Sequence, residues 1–202
     1  MDNDHDSDNS RSTARGERSD AALESEVDDD AALVQAARAG DAAAFADLLE
    51  RHYNRIHGLA FRLTGSAADA DDLTQDVCTA LPRKLAGFRG DARFGTWLYR
   101  VVVNAAHDRR RRQKTHAEAA AAWGERERAT RLELAEARQR REWLIEAMQG
   151  LGDDLRDTLA LCLAGLTQAE AARVLDVAEG TVSWRMAEAR KQLRRIDEEQ
   201  QS

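Results

Sequence analysis

Apolar residues recur along this chain at steps of three and four, and no run of alternating β-branched residues is long enough for a sheet. That period belongs to helices with one buried face. A short helix is predicted over 31–39, "AALVQAARA", closed by Gly40, which suits the left-handed position after a helix. Asp41 can cap the next helix, whose apolar face is Phe45, Leu48, Leu49, Tyr53, Ile56, Leu59, Ala60 and Leu63. Gly65 ends it, and Ser66 with Asp69 gives a helix-start signal. A third helix follows over about 67–86 with the stripe Leu73, Val77, Ala80, Leu81 and Leu85. Pro82 predicts a kink or an early stop there, because its ring clashes with the carbonyl of Cys78. Residues 87–93 form a loop, and a fourth helix runs from Phe94 to about Arg112, burying Phe94, Trp97, Leu98, Val101, Val102 and Ala105.

Large apolar residues then thin out. Residues 114–140 are read as a linker between a first unit, 31–113, and a second, 141–197. The core restarts at Trp143, Leu144, Met148 and Leu151 and continues through Leu155, Leu159 and Leu163 to Gly165. Thr167 and Glu170 form a capping box that opens the short helix "QAEAARVL". A tight connection, Asp176 to Glu179, leads into "GTVSWRMAEARKQLRR". Two short helices joined in this way are the helix-turn-helix pattern. The predicted fold is therefore all-α: two small helical domains and a linker.

Charge divides the chain further. Its formal net charge is −7, but residues 1–30 alone carry eleven acids against three arginines. With few apolar residues and no period, this stretch is read as a disordered acidic tail. A tail of this kind solubilises; it can also compete with DNA for a basic surface. No stretch of eighteen apolar residues suggests a membrane span, and the N-terminus lacks the basic start and apolar core of a secretory signal. Cys78 and Cys162 sit in apolar helical surroundings, which suits a reduced, cytoplasmic interior.

Two faces carry candidate chemistry. On the last helix Val182, Met186, Ala189 and Leu193 form one stripe. Thr181, Ser183, Trp184, Arg185, Glu188 and Lys191 lie off it. The second helix of a helix-turn-helix enters the major groove, where its N-terminal half meets base edges and its cations meet phosphates. A merely solvated amphipathic helix would show a similar pattern, but Trp184 is a large aromatic off the buried stripe and needs a partner. The other face belongs to the fourth helix. Residues 89–116 hold eight Lys/Arg and two acids. Arg100, Asn104, His107 and Arg111 share a flank, and Phe94, Trp97 and Tyr99 lie near. Cations for phosphates and rings for unstacked bases suit single-stranded DNA. Trp97 and Val101 fit a core role better, whereas the run Arg109–Arg112 suits phosphate attraction.

Three segments, "DADDLTQDV", "FRGDARFGTWLYRVVVNAAHDRRRR" and "LTQAEAARVLDVAEGTVSWRMAEARKQL", resemble in order and spacing the signatures of extracytoplasmic-function (ECF) sigma factors. The resemblance covers roughly 31–113 and 141–196. It implies a sigma-2-like bundle and a sigma-4-like helix-turn-helix domain. Asp72, Gln75 and Asp76 would dock on the β′ coiled coil of core RNA polymerase. The 88–93 loop, with Trp97, Arg100 and Asn104, would melt and read the −10 element, holding a flipped base. Arg109 and Arg111 would add DNA contacts, the last helix would read the −35 element, and the linker would thread towards the RNA exit path. The partners implied are the β′ and β subunits, promoter DNA and an anti-sigma protein, with no cofactor, metal, small-molecule substrate or membrane insertion. Pro82 and Cys78 stand where the family often has aromatics, Ala178 where it often has a capping Ser, and Glu188 where many members carry a base. Two other readings stay open. A helix-turn-helix regulator acting without polymerase would leave 69–112 unused. A metal hydrolase would need a ligand motif, and His52 and His57 read instead as ordinary helix-face residues.

Overall fold

The computed structural model describes residues 30–120 and 136–200, and every regular element among them is helical. The first unit contains α1 (30–38), α2 (Ala42–Thr64), α3 (Ala67–Leu85) and α4 (Phe94–Ala120). The second contains α5 (Glu136–Gln149), α6 (Asp153–Leu163), α7 (Gln168–Leu175) and α8 (Glu179–Gln200). The first twenty-nine residues of the acidic tail and the central part of the linker lie outside the described residues.

Local signals explain most boundaries. Asp41 accepts from the N–H groups of Ala43 and Ala44 at 2.9 and 3.1 Å, capping α2. Gly65 closes α2 at φ 71°, and an added Cβ there would lie 2.5 Å from the Gln149 side chain. Both its backbone shape and its close neighbour therefore require glycine. Thr167 and Glu170 complete the predicted capping box at the start of α7.

Several expectations need correction. Asp30, assigned to the tail, is the first residue of α1 and is buried. Its carboxylate accepts from His52 Nε2 at 2.9 Å and Arg51 at 3.1 Å. His52 is therefore no ordinary helix-face residue: it is 1% exposed and meets Phe94 edge-on at 5.1 Å. Tyr53, placed on the buried stripe, is 45% exposed and stacks on His57 instead. The register of α2 gives the core position to the histidine because Asp30 satisfies its ring N–H. Pro82 does not stop α3, which runs on to Leu85. Pro82 faces solvent, while Leu81 and Leu85 beside it are each 1% exposed and pin the last turn. No correction attaches to the linker: its Ala-, Glu- and Arg-rich sequence allows partial helix, and α4 and α5 run into it, to Ala120 and from Glu136.

The two units touch. Helix α2 packs on α5 and α6, and α4 packs on α7. One continuous apolar cluster includes Leu48, Leu59, Leu98 and Val102 from the first unit and Met148, Leu161, Val174 and Val182 from the second.

Candidate nucleic-acid interface

On α8 the buried stripe is where the period places it: Val182 and Ala189 are fully buried and Met186 is 7% exposed. Ala178 precedes the helix, and its carbonyl accepts from Thr181 and Val182 at 2.9 and 3.3 Å. An alanine offers no side-chain oxygen for a cap. The turn before it is tight because Asp176 takes the left-handed conformation at φ 55°, which aspartate tolerates. Ser183, Trp184 and Lys191 face solvent, and Thr181 is half-buried. Arg185 is engaged elsewhere, donating to Asp154 of α6 at 2.7 Å with its side chain 14% exposed. Glu188 accepts from Gln192 one turn on, at 2.9 Å. Among the α8 candidates, then, the outward surface consists of Ser183, Trp184 and Lys191.

The flank of α4 is split. Asn104 is exposed. Arg100 is exposed too, yet its guanidinium donates to the carbonyl of Arg173 in α7. His107 Nε2 lies 2.5 Å from Asp157 of α6. The four adjacent arginines are each tied. Arg109 reaches Asp69 at 2.8 Å and Asp72 at 3.1 Å on α3. Arg110 donates to both oxygens of Asp157 at 2.9 Å. Arg111 pairs with Asp108, and Arg112 donates to the Asp108 carbonyl. Asp157 is 1% exposed, so three donor contacts from α4 satisfy an otherwise costly buried carboxylate. This ionic seam is absent from the sequence reading, since no motif couples residues fifty apart.

The 86–93 loop is anchored from within. Phe88 is 9% exposed and touches the rings of Phe94 and Trp97 at 5.8 and 5.1 Å. Phe94 is itself 5% exposed, on the buried side where the apolar period places it, so it supports the loop and offers no face to an unstacked base. A cleft of about 460 Å³ lies beside it, bordered by Arg93, Thr96 and Tyr99 and, from the second unit, by Leu166 and Glu170. Burial raises the Tyr99 phenol, which stays protonated and able to donate. Burial opposes ionisation of Glu170, but the Thr167 N–H and hydroxyl, with Arg173 and Arg93, hold its carboxyl below the usual range.

On α3, Asp72, Gln75 and Asp76 are exposed at spacings of three and four and share one face. Asp72 both pairs with Arg109 and stays 64% exposed at its side chain. Cys78 and Cys162 are free and half-buried, and burial raises both thiols, which lowers their reactivity. Among the described residues no group of His, Cys, Asp and Glu could hold a metal ion.

A helix-turn-helix with a solvent-facing second helix, beside a helical unit bearing a cationic long helix, defines a helical DNA-binding protein. Comparison with known proteins narrows the class. Residues 48–116 match Sigma-70 region 2, and residues 141–193 match Sigma-70, region 4. The chain is 38% identical over 169 residues to the ECF RNA polymerase sigma factor SigM of Mycobacterium tuberculosis, covering 83% of this chain and 84% of that one. It is 32% identical to the ECF RNA polymerase sigma-E factor of Escherichia coli, over 80% of this chain and 91% of the other. Two solved structures share the fold. CnrH, in complex with the cytosolic domain of CnrY, has a TM-score of 0.62 at 26% identity, covering 84% of this chain and 97% of that one. The sigma factor RpoE of Bartonella quintana, in complex with the anti-sigma factor NepR, has a TM-score of 0.66 at 20% identity, covering 76% and 96%. The chain belongs to the ECF family of RNA polymerase sigma factors. It binds core RNA polymerase and directs promoter-specific initiation of transcription. No helix among the described residues is long and apolar enough to cross a membrane.

Proposed function

We propose the following division of labour among residues. The first unit, 31–113, docks on the β′ coiled coil through Asp72, Gln75 and Asp76. Its 86–93 loop and the α4 residues Arg100 and Asn104 capture the non-template strand of the −10 element, with Arg111 on phosphate. The second unit, 141–197, reads the −35 duplex with Ser183, Trp184 and Lys191 of α8. Arg109 and Arg185 act as ties within their own units, and Glu188 acts through its bond to Gln192. The linker, 114–140, lets the units separate. The protein works in the cytoplasm and supplies positioning and strand capture, with no bond chemistry of its own. An anti-sigma protein is the regulator the family resemblance implies, and CnrH is itself seen bound to the cytosolic domain of CnrY.

The observation that carries the −35 assignment is the outward surface of α8 opposite a stripe buried at Val182, Met186 and Ala189. The same reading implies movement. Elements at −10 and −35 lie about 25 base pairs apart, or about 85 Å of duplex at 3.4 Å per pair. The units touch through Arg100 and the Arg173 carbonyl. They must part before one chain spans both elements.

Run-off transcription tests the whole. Purified core polymerase with this chain should start discrete transcripts at a subset of genomic promoters. If no specific start arises with active core enzyme, a regulator that works without polymerase becomes the better account.

A further inference from the structure

We infer that Trp184 is a specificity-determining residue that reads the C5-methyl group of a thymine in the −35 major groove. The inference rests on the −35 role proposed for α8. At 3.6 residues per turn Trp184 lies almost directly opposite the middle of the Val182–Met186–Ala189–Leu193 stripe. It therefore stands on the outermost line of the helix, together with Gly180, Ala187 and Lys191. Its exposure is 63%, the highest of the large exposed hydrophobics among the described residues. It takes part in none of the ring contacts there.

Its neighbours decide what it can meet. Gly180, one turn before, and Ala187, one turn after, are low, so nothing on the helix shields the indole. An added Cβ at Gly180 would find nothing within 4 Å. Of the longer polar side chains that could compete for a base edge, Arg185 is turned to Asp154 and Glu188 to Gln192, while the short Ser183 stands about 100° round the helix from Trp184. The leading surface of the helix is thus a flat apolar group, with a cation, Lys191, two turns on to meet phosphate. In the major groove the one apolar feature of a base edge is the thymine methyl, and apolar side chains are what contact it. A guanine edge would offer the indole ring only polar atoms to desolvate, and a cytosine edge an amino group beside a C5–H with no methyl.

The test isolates the methyl. A −35 element is first selected from a randomised promoter library with holoenzyme built from the full chain. Each thymine in it is then replaced by deoxyuridine, which pairs identically and lacks only the methyl. Holoenzyme with wild-type protein, W184A and W184F is compared on both duplexes. Wild type should prefer thymine at one position by about three- to fivefold, the equivalent of one buried CH₂. W184A should bind thymine and uracil duplexes alike, and W184F should keep most of the preference. The inference is overturned if wild type shows no preference at any position, if W184A retains it, or if the selected element contains no A·T pair. Promoter complexes indifferent to the whole −35 sequence would remove the underlying role of α8, a separate failure.

Discussion

His52 shows how one residue sets a pH limit on the fold. Burial lowers its pKa, outweighing the neighbouring Asp30 carboxylate, which raises it. The ring is thus neutral when folded, with Nε2–H donating to Asp30 and Nδ1 left without a partner. In the unfolded chain it would bind a proton near pH 6.5. The unfolded state then holds more protons below that value, so stability should fall as pH drops through 6.5. Denaturant melts of wild type and His52→Leu between pH 5 and 7.5 check this. The wild-type slope over that window should shrink in the variant, and equal slopes would assign the dependence to other groups. Thr167 gives a simpler case. Thr167→Ala removes the cap of α7 and should cost about 1 kcal/mol in the same melts. The capping box was legible in the sequence because it is local. The burial of His52 was not, because its partner lies twenty-two positions away in a stretch whose composition reads as a tail.

At the scale of elements, periodicity located nearly every helix, and it failed where contacts between helices decide. Pro82 illustrates this: the local rule predicts a kink or an early stop, and the stop does not occur, because Leu81 and Leu85 hold the last turn of α3 against the core. The run Arg109–Arg112 reads as one basic patch, yet its guanidiniums diverge to α3, to α6 and to α4 itself. Adjacent helical residues point about 100° apart, so four neighbours cannot share a face. Arg185 and Lys191 are likewise equivalent in sequence and different in place. Arg185→Ala should lower the melting temperature as Asp154→Ala does, with non-additive effects in the double variant, as expected for a tie between α6 and α8. Lys191→Ala should leave melting unchanged, weaken duplex binding uniformly across sequences, and reduce the slope of log affinity against log salt by about one. On α4, Asn104→Ala should spare −35 binding and impair strand opening, read by permanganate reactivity of −10 thymines. Equal loss of both would indicate misfolding.

For the whole molecule, the units bearing the two proposed recognition faces share one apolar cluster. Part of the seam is ionic, with Asp157 buried between His107 and Arg110. Such a contact is conditional: its charges are well satisfied when closed, and when open all can be rehydrated while the cations can turn to phosphate. On the proposed division of labour, this closed arrangement does not match the spacing of the two promoter elements, and the units part when polymerase and promoter engage them. The central claim is that the units separate to span the promoter. Spin labels on Glu50→Cys in α2 and Asp197→Cys in α8, with Cys78 and Cys162 replaced by serine, report on it directly by pulsed electron resonance. The account predicts one short distance in free protein and a distance longer by tens of ångströms in the transcribing promoter complex, as the ~85 Å between element centres demands. An unchanged short distance in a complex that makes transcript would contradict it.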